Sequence, residues 1–181
     1  MRKTNQGFTL VEMLIVIVAV GIIGSMTARL LFQGSDLFVM ETNRQGFISE
    51  VRSSFWRVFR ENHGQSAKEE YTFSGSNNFY IRHADNIQKQ ILVENDSLNL
   101  KIGNGAQNNL SNKLSSASLT YYDNNYSLIS PPQGGLTENQ AKSIHISKID
   151  FTFVNDEDTL KLSSFVYPYN FKYGQKMTYH E

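Results

Sequence analysis

Glu12 is the one ionisable side chain in the run FTLVEMLIVIVAVGIIGSMTA, which occupies residues 8–28. About 21 residues at a helical rise of about 1.5 Å each reach roughly 30 Å, the thickness of a bilayer's hydrocarbon core. An acid inside such a helix costs roughly 2.5–3.5 kcal/mol on insertion scales, so its chemistry calls for a positive partner. The preceding residues point to one. The leader MRKTNQG is short and polar, and it carries Arg2 and Lys3. A secretory signal is cut after its apolar region, which is then discarded. Here the small residue that suits a peptidase, Gly7, stands before the apolar run. Cutting after Gly7 keeps the helix and creates an α-amino group on Phe8, four residues from Glu12.

This arrangement, G-F-T-L-V-E followed by an apolar stretch, resembles the prepilin leader and N-terminal helix of type IV pilins and type II secretion pseudopilins. In that family the prepilin peptidase cuts after the glycine and N-methylates the new first residue, and the glutamate at the fifth mature position is kept. Gly7, Phe8 and Glu12 match residue by residue. The resemblance implies a cleavage site at Gly7 and Phe8, N-methylation of Phe8, and a subunit-assembly role for Glu12. In a filament the Glu12 carboxylate would pair with the N-terminal ammonium of a neighbouring subunit, offsetting two buried charges at once. Arg2 and Lys3 hold the leader in the cytoplasm, which sends the C-terminal bulk to the far side of the inner membrane, into the periplasm.

The 181 residues divide into a leader (1–7), a transmembrane half-helix (8–28), an amphipathic continuation (29–63) and a β-rich globular domain (64–181). Lys plus Arg and Asp plus Glu are each 17, so no bulk charge favours nucleic acid, which is not an expected partner. The absence of cysteine leaves an exported domain to be held by its core alone. Many major pilins carry a C-terminal disulfide loop, so its absence argues against the major subunit and against a disulfide-stapled adhesin.

Leu37, Met40, Phe47, Ile48, Val51 and Phe55 recur at helical spacing, continued by Val58 and Phe59. They predict one long helix from about Thr9 to Glu61, stopped at Asn62-His63-Gly64, whose second half lays an apolar stripe on a β-sheet. Glu50, Ser53, Arg57 and Glu61 fall on its other faces, with Arg57 and Glu61 placed for an i,i+4 pair. Beyond Gly64 the period changes to two. Candidate strands are 71–73, 79–82, 90–93, 98–102, 116–122, 126–129, 144–153 and 160–167. A bulge near Ser147-Lys148 would bring Ile144, Ile146, Ile149, Phe151 and Phe153 to one face. The turn Asn155-Asp156-Glu157-Asp158 joins the last two strands as a hairpin, and Pro131-Pro132-Gln133-Gly134-Gly135 reads as a loop. The expected fold is α+β: a long N-terminal helix, its first half transmembrane, packed on a mainly antiparallel sheet. The pilin resemblance implies the same fold. The segments VRSSFWRVFRE and FVYPYN are similar to the larger β-rich minor subunits. These include the J-type pseudopilin and a minor pilin of the mannose-sensitive haemagglutinin pilus.

Chemistry elsewhere is sparse. His63, His83, His145 and His180 lack metal-ligand spacing and read as solvated. The acidic turns at 123–125 and 155–158 lack the EF-hand pattern, so no metal and no cofactor is expected. No nucleophile elbow, Walker loop or HExxH motif is present, and no catalysis is expected. Arg52, Trp56 and Arg60 share a flanking helix face, which serves either a neighbouring subunit or Trp56 packed at the sheet edge between solvated arginines. The expected role is that of a minor pilin or pseudopilin. Its expected partners are the prepilin peptidase, other subunits through the N-terminal helix, and the inner-membrane assembly platform. The alternatives are a filament-displayed binding module, as an adhesin or DNA-uptake subunit, and a membrane-anchored enzyme.

Overall fold

Apolar side chains on every face of residues 10–28, followed by one apolar stripe after residue 46, produce a single helix with two solvent relations. The computed structural model describes residues 9–155 and 158–173. Helix α1 runs over Leu10–His63, 54 residues. Its last turn closes where the Gly64 N–H donates to the Arg60 carbonyl at 3.2 Å. A Cβ at Gly64 would lie 2.8 Å from His83 Nε2, so glycine at this stop also makes room for the imidazole.

The chain forms two compact units, Met1–Gln45 and Gly46–Glu181. Within the first, the large apolar side chains of α1 face outward, with Ile17 68% and Phe32 73% exposed. An 18-residue window with mean hydropathy 2.3 makes the helix long and apolar enough to cross a membrane. Leu37 and Met40, expected in the packed stripe, belong to this unit and are exposed.

In the second unit Phe47, Val51, Phe55 and Val58 are buried at spacings of four and three. Phe55 meets Phe151 edge-on at 6.1 Å. Burying each such side chain stabilises the unit by roughly 1.5–3 kcal/mol. The strands form two antiparallel four-stranded sheets where a single sheet was expected. Sheet 1 is a meander of β1 (Asn78–Arg82), β2 (Gln88–Glu94), β3 (Ser97–Ile102) and β4 (Gln107–Ser111). Sheet 2 has the order β6-β5-β7-β8, from β5 (Leu114–Tyr122), β6 (Leu128–Ile129), β7 (Ile146–Asn155) and β8 (Asp158–Val166). A short helix α2 (Glu138–Ser143) carries the chain from β6 across to β7, started by a capping box between Thr137 and Gln140.

Several expectations give way to longer-range packing. Residues 71–73 are no strand. A 3-10 turn over Lys68–Tyr71 buries the Tyr71 ring, and its hydroxyl donates to Asn62 Oδ1. Phe73 follows at φ 68, where Gly135 (φ 88) presses against its carbonyl so closely that a Cβ would collide. The bulge near Ser147-Lys148 does not form, because β5 and β7 pair without a shift from Leu119↔Ile149 to Tyr122↔Ile146. Ile144 reaches the core as the C-cap of α2, ahead of the strand, so no bulge is required to bury it. Register shifts occur instead between Leu98 and Asn99 on β3, opposite Leu110, and between Leu114 and Ser116. Strand β4, whose sequence is QNNLS, was not expected at all. The β7–β8 hairpin is present down to the pair Asn155↔Asp158, while Asp156 and Glu157 lie outside the described residues.

Candidate functional site

The N-terminal turn of α1 is organised by Thr9 and Glu12. The Thr9 N–H and Oγ1 donate to Glu12 Oε2 at 2.8 and 2.9 Å, and the Glu12 N–H donates back to Thr9 Oγ1 at 3.3 Å. These reciprocal bonds make a capping box, in which the first free N–H groups of a helix are satisfied by side chains. Thr9 therefore belongs to the site. The signal for it in the sequence is the spacing T-x-x-E, which lies at the head of the apolar run. The bonds from Thr9 both end on Oε2 and fix the carboxylate at the helix start. Gly7 and Phe8 lie outside the described residues.

The other end of α1 carries a buried ion cluster. Glu61, expected on a face away from the apolar stripe, is only 3% exposed. Arg57 Nε approaches its Oε1 at 2.9 Å, forming the expected i,i+4 pair. Lys89 Nζ reaches its Oε2 at 2.8 Å from β2, and His83 Nε2 lies 3.4 Å from the same oxygen. Lys89 Nζ is also 3.1 Å from His83 Nδ1. An ammonium only donates, so Nδ1 accepts and His83 Nε2–H donates to the Glu61 carbonyl at 2.8 Å. The cluster ties the helix end to β2, and nothing in the sequence around Glu61 announces it.

Two further histidines, His63 and His145, are packed against rings where solvated positions were expected. His63 stacks on Phe59, with centroids 5.9 Å apart, and meets Tyr169 at 5.2 Å. His145 sits between Tyr126 at 6.1 Å and Tyr167 at 5.1 Å, and His180 lies outside the described residues. In the turn after β5, Asp123 Oδ1 accepts the N–H groups of Asn125 and Ser127, both at 2.8 Å, and so closes the turn. Among the described residues no group of three or more His, Cys, Asp or Glu is placed to hold a metal ion.

Trp56 is 58% exposed and touches Phe55 and Phe59 edge-on at 6.0 and 5.2 Å. It borders a groove of 730 Å³ between α1 and the β3–β4 end of sheet 1. Trp56 is thus neither sealed at the sheet edge nor free of the sheet.

With this geometry in place, comparison adds one family. The family described as the prokaryotic N-terminal methylation motif matches residues 2–28, which include Gly7, Phe8, Thr9 and Glu12. The match marks the segment as that of a type IV pilin-like substrate of the prepilin peptidase, and it supports methylation, a membrane anchor and assembly with other pilin subunits in general. No curated protein matches the chain.

Proposed function

We propose that this chain is a structural minor subunit of a type IV pilus or a type II secretion pseudopilus. The carrying observation is the methylation motif over residues 2–28, set on a helix whose first-turn acid is already fixed in place. The precursor lies in the inner membrane with its C-terminal domain in the periplasm. The prepilin peptidase cuts after Gly7 and methylates Phe8. The assembly platform then moves the subunit into a filament, where it takes part in initiation or in the tip complex.

Polymerisation is the mechanism, and its chemistry is charge pairing. Glu12 Oε2 is held by Thr9, which leaves Oε1 to meet the methylammonium of Phe8 on a neighbouring subunit. Pairing offsets part of the cost of burying either charge, and leaving one of them unpaired is strongly unfavourable. The role is structural, without catalysis by this chain. Glu12→Ala tests it. The variant should still be cut after Gly7, and its recovery in sheared filaments should fall about tenfold or more, because an unpaired buried ammonium costs several kcal/mol. Wild-type recovery would contradict the pairing.

A second reading, display of the domain as a binding module, draws on one observation. Tyr126, His145 and Tyr167 form a row of rings, with Tyr126 69% exposed and held at φ 60. Bulky side chains rarely occupy that backbone region, and such strain tends to gather at binding sites.

A further inference from the structure

We infer that the groove between α1 and β4 takes an extended, acidic segment of a partner polypeptide, which adds to sheet 1 as a strand beside β4. The inference stands apart from N-terminal processing and goes beyond filament assembly. Its first support is the edge itself. Strand β4 closes sheet 1 on one side, and its sequence QNNLS holds none of the Lys or Pro that usually blunt a sheet edge. Its C-terminal end is covered, because the Ser54 hydroxyl donates to the Leu110 carbonyl at 2.6 Å and the Ser111 hydroxyl to Glu50 Oε1 at 2.9 Å. The exposed stretch is residues 107–109, and there the groove opens.

The second support is the floor. Leu100, Ile102 and Leu110 of the sheet face Trp56 and Phe59 of the helix across the groove. Trp56 is 58% and Ile102 37% exposed, an apolar surface suited to a partner's side chains. The third is charge. Arg57 and Arg60 line the groove and no Asp or Glu does. Of the nearby acids on α1, Glu61 is buried and held by Arg57, Lys89 and His83, and Glu50 is held by Ser111 and by Lys113 at 3.5 Å. A strand presents alternate side chains to opposite faces. A segment alternating apolar and acidic residues would give its main chain to β4, its apolar side chains to the floor and a carboxylate to Arg60.

Trp56 is the sole tryptophan, so its emission reports occupancy directly. The full chain in detergent micelles is titrated with an acetylated peptide of alternating Val and Glu. Two companion peptides are used, one with Lys for Glu and one N-methylated at alternate residues so that it cannot pair with a strand. The inference predicts a saturable blue shift with the Glu peptide and slower exchange of the outward-facing amides of β4 within residues 107–109. It also predicts affinity about tenfold lower for both companions, and for the Glu peptide on an Arg60→Glu variant. Arg60 is exposed, so that variant retains its fold. Equal binding of the Glu and Lys peptides, undiminished binding of the N-methylated peptide, or no shift would each overturn the inference. A shift produced instead by maltohexaose, or by raising the protein concentration alone, would assign the groove to a saccharide or to a second copy and overturn it equally.

Discussion

The two halves of α1 share one backbone geometry and opposite relations to their surroundings. Up to Gln45 the apolar side chains point outward on all faces, and from Phe47 a single stripe is buried against strands. A helix apolar all round needs an apolar medium, whereas a striped helix needs only one packing partner. Each half therefore draws its stability from a different source. The first half finds no apolar partner among the described residues. The second carries its partner in the same chain. Charge follows the same division, since Glu61 finds three cationic or imidazole neighbours within its own unit while Glu12 is met by Thr9.

The sharpest test places one substitution in each half. Val51→Asp puts an unpaired charge at a fully buried position and should destabilise the second unit by about 4 kcal/mol or more, seen as loss of its cooperative thermal transition. Val18→Asp should leave that transition in place and reduce membrane retention, with an insertion cost of roughly 2.5–3.5 kcal/mol. A domain melting point equally lowered by both would erase the comparison. Next in size, Glu61→Ala strands Arg57 and Lys89 beside each other and should cost about 3–5 kcal/mol by urea denaturation.

Alkaline pH separates the halves more gently. Burial holds the phenols of Tyr71 and Tyr121 well above the ordinary tyrosine value. Groups whose folded values are raised contribute fully below the unfolded pKa of about 10 and lose that contribution as pH rises through the folded values. The second unit should therefore lose stability progressively above about pH 10, with part of its tyrosinate absorbance appearing only as the fold is lost. Helicity of the first unit, read by circular dichroism in micelles, should not follow. Smallest of all, Lys142→Ala removes an exposed i,i+4 contact to Glu138 at 2.5 Å and should leave the melting temperature unchanged within error.

What could be read in advance follows physical range. Local patterns carried the N-terminal segment, both helix ends within two residues, and the β7–β8 hairpin, because apolar period, a glycine stop and a polar turn each act over a few residues. Strand β4 was missed because QNNLS is polar and pairs on one side only, so its pairing with β3 was its whole signal. The wrongly expected bulge came from counting Ile144 within a strand, when the T-E-N-Q capping box had already begun a helix before it. Burial of Glu61 depends on Lys89 and His83, more than 20 residues away in sequence, and no local rule reaches that far. The residues proposed for processing and assembly differ in kind. Gly7, Phe8 and Glu12 are read from spacing alone, and Thr9 completes a local motif with Glu12.

The central claim is that the apolar stem stays on the mature protein with a new amine at its head. Intact-mass and N-terminal peptide mass spectrometry of the protein from its native cell tests this most directly. The account predicts a chain that lacks residues 1–7 and begins with N-methylated Phe8. A chain that still starts at Met1, or one that has lost the helix together with the leader, would contradict it.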